Sequence, residues 1–133
     1  MKLKIFSIVI LLIGSVSYAA ESDNAFTLNL IGLWRSEISS KDLFIDATEQ
    51  YKNDGILISR GKVYFNGKLE EEYFLISKWE VRDGYSYIEV IETSNSEVMP
   101  VGHKFSDKII SVDDNEFIYE SDNGERTTMK RLR

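Results

Sequence analysis

Residues 66–84 read NGKLEEEYFLISKWEVRDG, a long run closed at each end by a two-residue turn signal, Asn66-Gly67 and Asp83-Gly84. Asn-Gly and Asp-Gly tolerate the positive φ that a type I′ turn needs at both central positions, so each signal predicts a tight antiparallel hairpin. A two-residue turn also fixes register. Asn66-Gly67 sets Lys62 opposite Glu71, Arg60 opposite Tyr73 and Ile58 opposite Leu75. Asp83-Gly84 sets Trp79 opposite Ile88, Ser77 opposite Val90 and Lys78 opposite Glu89. Side chains alternate along a strand, so Leu69, Tyr73, Leu75, Trp79 and Val81 form an apolar face and Glu70, Glu72, Lys78, Glu80 and Arg82 a charged one. The apolar face is the expected core side, and a bulge within this long strand is the one event that would flip part of the assignment.

Working outward, further turn signals at Lys52-Asn53-Asp54-Gly55, Asp113-Asp114-Asn115 and Asp122-Asn123-Gly124 separate runs rich in Val, Ile, Tyr, Phe and Thr. Eight strands fit, at about 33–38, 43–51, 56–65, 68–82, 85–94, 103–112, 116–121 and 125–132, with a short helical turn within 21–31. Apart from the loop 95–102, which holds the chain's one proline, Pro100, the connections are too short for anything but hairpins. The same alternation points Ile45, Ala47, Glu49 and Tyr51 inward. A meander with one apolar face must hide its edges, and closure into an up-and-down, eight-stranded antiparallel barrel does so most simply.

Composition narrows the chemistry. The chain has 133 residues, no cysteine and one histidine. That excludes disulfides, thiolate metal sites and a cysteine nucleophile, and leaves little scope for histidine-based metal centres or triads, so no metal and no cofactor is expected. Residues 1–19 have the form of a secretory signal peptide: Lys2 and Lys4, the apolar run 5–13, and the small residues Ser17 and Ala19 before the cleavage point. The apolar run is too short to span a bilayer, and no cysteine follows it to carry a lipid. A periplasmic location is expected, with secretion as the alternative. Removing Lys2 and Lys4 from 16 basic residues leaves 14 against 22 acidic ones, a net charge near −8, which disfavours nucleic acid and anionic membrane as partners.

Gly32-Leu33-Trp34, at the start of the first strand, resembles the G-x-W signature of lipocalins and related calycin barrels, and Thr127 to Arg131 resembles their closing segment. The resemblance implies that residues 20–133 form a lipocalin-like β-barrel domain in which Trp34 plugs one end and an arginine of the last strand covers its ring. Arg131 has the right parity, with Arg126 and Arg133 as competitors. The chain is shorter than typical secreted lipocalins and lacks their disulfide and C-terminal helix, so it looks more like the compact bacterial members. In such barrels the cavity residues, not the fold, decide the ligand.

The inward register places Glu49, Arg60, Lys62 and Glu71 on neighbouring strands, with Tyr51, Tyr64, Tyr73 and Trp79 nearby. Arg60 and Lys62 could hold the acidic head group of an apolar ligand along a wall of Leu75, Ile88 and Val90, or the four charges could pair among themselves at a hydrated mouth. Leu57, Ile76 and Ile91 fall together outside, beside Phe74, as a surface for a protein partner or a homodimer. His103 reads as structural, and the carboxylate run Glu70-Glu71-Glu72 as a solvated edge whose members alternate faces. Ser59-x-x-Lys62 places its two groups on opposite faces of a strand, against a serine–lysine mechanism. The expectation is a non-enzymatic, exported protein binding a small, partly apolar ligand inside its barrel. The rival is an inhibitor or immunity-type module whose acidic surface steers it to a cationic enzyme.

Overall fold

The computed structural model describes residues 22–133; the expected leader lies outside the described residues. A short helix α1 (22–30) precedes eight strands: β1 (Gly32–Ser40), β2 (Leu43–Tyr51), β3 (Ile56–Phe65), β4 (Lys68–Arg82), β5 (Tyr85–Thr93), β6 (Lys104–Val112), β7 (Glu116–Glu120) and β8 (Arg126–Leu132). Each strand boundary lies within two residues of the one read from turn chemistry. Every neighbour in sequence is a neighbour in space, all pairings are antiparallel, and β1 pairs with β8 through Leu33–Leu132, Trp34–Arg131 and Arg35–Lys130 to close the barrel. No unpaired sheet edge is left along the closed order.

Both hairpin turns take the conformation their sequences require: φ is 52° and 76° at Asn66 and Gly67, and 53° and 79° at Asp83 and Gly84. The second turn delivers the expected register, with Trp79 opposite Ile88, Ser77 opposite Val90 and Lys78 opposite Glu89. The first does so for two pairs only. Phe65 meets Lys68 and Tyr64 meets Leu69, but Val63 meets Glu71, leaving Glu70 without a partner as a β-bulge. Beyond it Lys62 lies opposite Glu72, Arg60 opposite Phe74 and Ile58 opposite Ile76, where Glu71, Tyr73 and Leu75 were expected. A one-residue shift reverses the facing of a whole strand. Leu57 and Ser59 therefore turn inward, 2% and 8% exposed, while Leu69, on the far side of the bulge, is 44% exposed instead of joining the core.

The core gathers at the end where the chain enters the barrel. Trp34, Leu30, Phe117, Met129, Tyr51 and Trp79 pack there in one cluster. Phe117 meets Trp34 edge-on at 5.8 Å, and Tyr51 meets Trp79 edge-on at 5.1 Å, the geometry that aromatic quadrupoles favour. Trp34 donates its indole N–H to the Leu30 carbonyl at 2.8 Å, so α1 is tied to the residue it covers. Asp23, in the first turn of α1, accepts the backbone N–H groups of Asp83 and Gly84 at 2.8 and 2.9 Å and fastens the helix to the β4–β5 turn.

Arg131 completes this floor. Its guanidinium carbon stands 4.1 Å from the Trp34 ring centre, and its nitrogens donate to the carbonyls of Asn29, Ile31, Asp113 and Asp114. The cation thus saturates four backbone acceptors while lying over an aromatic face. Gly32 is required at its position twice over: its φ is 140°, and an added Cβ would stand 2.5 Å from an Arg131 nitrogen. Trp34 and Arg131 meet as the resemblance implies, and Arg133 instead reaches Asp114 and Asn115 at the surface.

Candidate ligand cavity

Above the floor the barrel does not fill. A cavity of about 350 Å³ opens between β2, β3, β4 and β5, with the β5–β6 loop at its mouth. Its walls are mainly apolar, from Leu57, Leu75, Ile88 and Phe105, with Val98 and Met99 of the loop across the opening. At the rim Asn95 donates to a Glu71 carboxylate oxygen at 2.9 Å, joining loop and β4.

The strand directions explain which polar groups face this space. Glu49 and Ser59 are paired across β2 and β3, so their side chains stand on the same inner face. Ser77, 2% exposed, reaches it from β4. Tyr73 lies across Gly61, where any Cβ would overlap its ring, so the glycine makes room for the phenol inside the barrel. Glu49 accepts a hydrogen bond from the Tyr51 hydroxyl at 3.1 Å through one oxygen, and its side chain lines the cavity.

This interior is acidic. Loss of hydration pushes the Glu49 carboxyl up to about 7; the Tyr51 hydrogen bond opposes that shift and Asp107 adds to it. Burial likewise raises Asp107 to about 6, with repulsion from Asp122 contributing. The Tyr51, Tyr73 and Tyr119 phenols are all held above their ordinary range, first by burial and then by the nearby Glu49 charge. Among the described residues no lysine, arginine or histidine lines the cavity to offset these groups.

Of the residues the sequence singled out, Glu49, Glu71 and Tyr73 line the cavity, and Tyr51 and Trp79 lie beneath it in the core. Arg60 and Lys62 do not join them. The Glu70 bulge turns both to the outer wall, where Arg60 stands 5.0 Å over the Phe74 ring and Lys62 lies 3.9 Å from Glu72. The expected four-charge cluster is therefore divided between the two sides of the sheet. Tyr64 faces outward with them, its ring 5.9 Å from Phe44. The outer apolar group changes in the same way: Leu57 is core, and its place beside Phe74, Ile76 and Ile91 is taken by Ile58, the cross-strand partner of Ile76. Ser59 and Lys62 occupy opposite faces, as strand alternation requires. His103 is exposed, with its ring 5.8 Å from Phe105.

Sequence reasoning missed Asp107, Ser59 and Ser77. Asp107 carried a signal, an acid at an inward parity position between Phe105 and Ile109. Ser77 carried none beyond parity, and the expected register pointed Ser59 outward, opposite to Arg60 and Lys62. Two wider grooves, about 840 and 550 Å³, run along the outer wall, but they are open to solvent and edged by surface charges such as the Lys104–Glu89 pair. Among the described residues no group of three or more acidic, histidine or cysteine side chains is placed to hold a metal ion. No protein-family model matches this sequence, and no curated protein matches it either.

Proposed function

We propose that this chain is an exported, non-enzymatic, lipocalin-like protein that holds a small, partly apolar ligand inside its barrel. The observation that carries this reading is the cavity of about 350 Å³, apolar along its walls and open at one end of a barrel sealed at the other. Ligand pockets begin at roughly 300 Å³, so the space suits a small molecule. Tryptophan, glycine and arginine at the floor support the lipocalin-like resemblance, and the leader-like residues 1–19 support export to the periplasm or beyond. The polar contacts of the ligand fall to Glu49, Glu71 and Tyr73 rather than to Arg60 and Lys62.

Expression of the full chain in a Gram-negative host, purification without denaturant and native mass spectrometry test the reading. A processed protein carrying a reproducible small-molecule adduct, released on unfolding, is the expected result. A protein that is consistently adduct-free, and that takes up no apolar probe, overturns it. The second reading, a protein-binding module, draws on the acidic balance of the chain and on the outer group Ile58, Phe74, Ile76 and Ile91.

A further inference from the structure

Glu49 lines the cavity with one carboxylate oxygen bonded to Tyr51, and no cation among the described residues lines that space. Two hydroxyls stand beside it: Ser59 and Ser77, 8% and 2% exposed, also line the cavity. A carboxylate set among apolar walls with no cation beside it marks a place that a polar ligand group completes. Its chemistry selects that group. A carboxylate accepts only, and a second carboxylate brought beside it would be repelled. An ammonium offers three donors and no acceptor, and it also suits the electron-rich ring face of Tyr73 across the same cavity.

We propose that the cavity selects an amphipathic organic cation, a primary amine on an apolar body, with Glu49 as its counter-ion and the Ser59 hydroxyl as a second acceptor. The proposal rests on the ligand-carrier reading and names the ligand class for that same site. The apolar walls of Leu57, Leu75 and Ile88 take the body of the ligand. A bound ammonium neutralises Glu49 and relieves its repulsion with Asp107, both of which burial disfavours as anions.

The pH dependence follows from which groups face Glu49. Tyr51 faces it from β2, Glu71 and Tyr73 from β4, Asp107 from β6 and Tyr119 from β7; β8 contributes Arg131, which is committed to the floor. The inward positions of β1, β3 and β5 carry no titratable side chain. The phenols stay neutral throughout the accessible range, so the acids set the profile. Protonation of Glu49 as pH falls through about 7 removes the counter-ion, and amine affinity falls with it.

Calorimetric titration of the mature protein with n-octylammonium, 1-octanol and octanoate, at pH 8.5 and pH 5.5, tests the assignment. The expected result at pH 8.5 is octylammonium binding about tenfold or more tighter than octanol, with octanoate weakest. Lowering the pH to 5.5 weakens octylammonium by about tenfold and leaves octanol unchanged. Glu49→Gln, which keeps the shape and the Tyr51 contact, brings octylammonium to the level of octanol at both pH values; an unchanged far-ultraviolet circular dichroism spectrum shows that the barrel is intact. Ser59→Ala lowers octylammonium affinity and spares octanol. Equal binding of the three probes, or a preference for the amine that survives Glu49→Gln, overturns the assignment while leaving the carrier reading in place. Failure of all three probes to bind overturns both.

Discussion

At the floor of the barrel, Trp34 is fully buried, its N–H is bonded to Leu30, and Arg131 covers its ring while donating to four backbone carbonyls. Immediately above it Glu49, the cross-strand partner of Trp34, lines a cavity together with Ser59 and Ser77. The same eight strands build both regions, and the difference lies in what fills them. Large aromatic side chains converge on the floor and fill it; aliphatic, small and acidic ones converge on the cavity and leave room. The first arrangement stabilises the fold. The second costs stability, because burying a carboxylate disfavours its charged form, and such a cost is offset when a complementary group is bound.

The largest test of that contrast is Trp34→Ala. Truncating a buried aromatic in a close-packed core costs about 3–5 kcal/mol, so urea unfolding of this variant is expected to show a large drop in midpoint with little change in slope. A loss under about 1 kcal/mol would mean that the floor is not the main source of stability.

The second test reads the cavity through pH. The folded-state carboxyl of Glu49 titrates near 7, above its value of about 4.5 when unfolded, so the folded state holds the extra proton. Stability from this group is complete below about pH 4.5 and is lost as pH rises through 7, by about 3 kcal/mol in all. Asp107, raised to about 6, acts in the same direction. Urea midpoints of the ligand-free protein are expected to fall between pH 5 and pH 8, and Glu49→Gln to remove most of the fall. A flat profile would show that water or an ion already solvates the carboxylate.

The smallest effect is expected from the pair that the bulge displaced. Arg60→Ala and Lys62→Ala, on the exposed outer wall, change stability by less than about 0.5 kcal/mol and leave probe binding in the cavity unchanged. Loss of binding in either variant would place their side chains back at the ligand.

Much of this architecture was legible along the chain. Turn chemistry at Asn66-Gly67 and Asp83-Gly84 marked the ends of β4, and parity correctly turned Glu49, Tyr51 and Trp79 inward. Gly32, Trp34 and Arg131 were legible through the resemblance to lipocalin-like barrels, which left Arg126 and Arg133 beside Arg131 as candidates. The facing of β3 was not, since it hangs on whether Glu70 is paired or skipped, and Glu70-Glu71-Glu72 offers three equivalent residues at that point. A hint lay in Gly61: a mid-strand glycine signals close approach by a bulky neighbour, which Tyr73 supplies.

The sequence by itself determined where strands begin and end, because turn conformation and β-propensity are local properties of a few adjacent residues. Only the tertiary structure decided which side of the wall Arg60 and Lys62 occupy, and whether the interior is solid or hollow. Both depend on register and on the summed shape of side chains from eight strands, and a side-chain period of two lets one skipped residue exchange inside for outside.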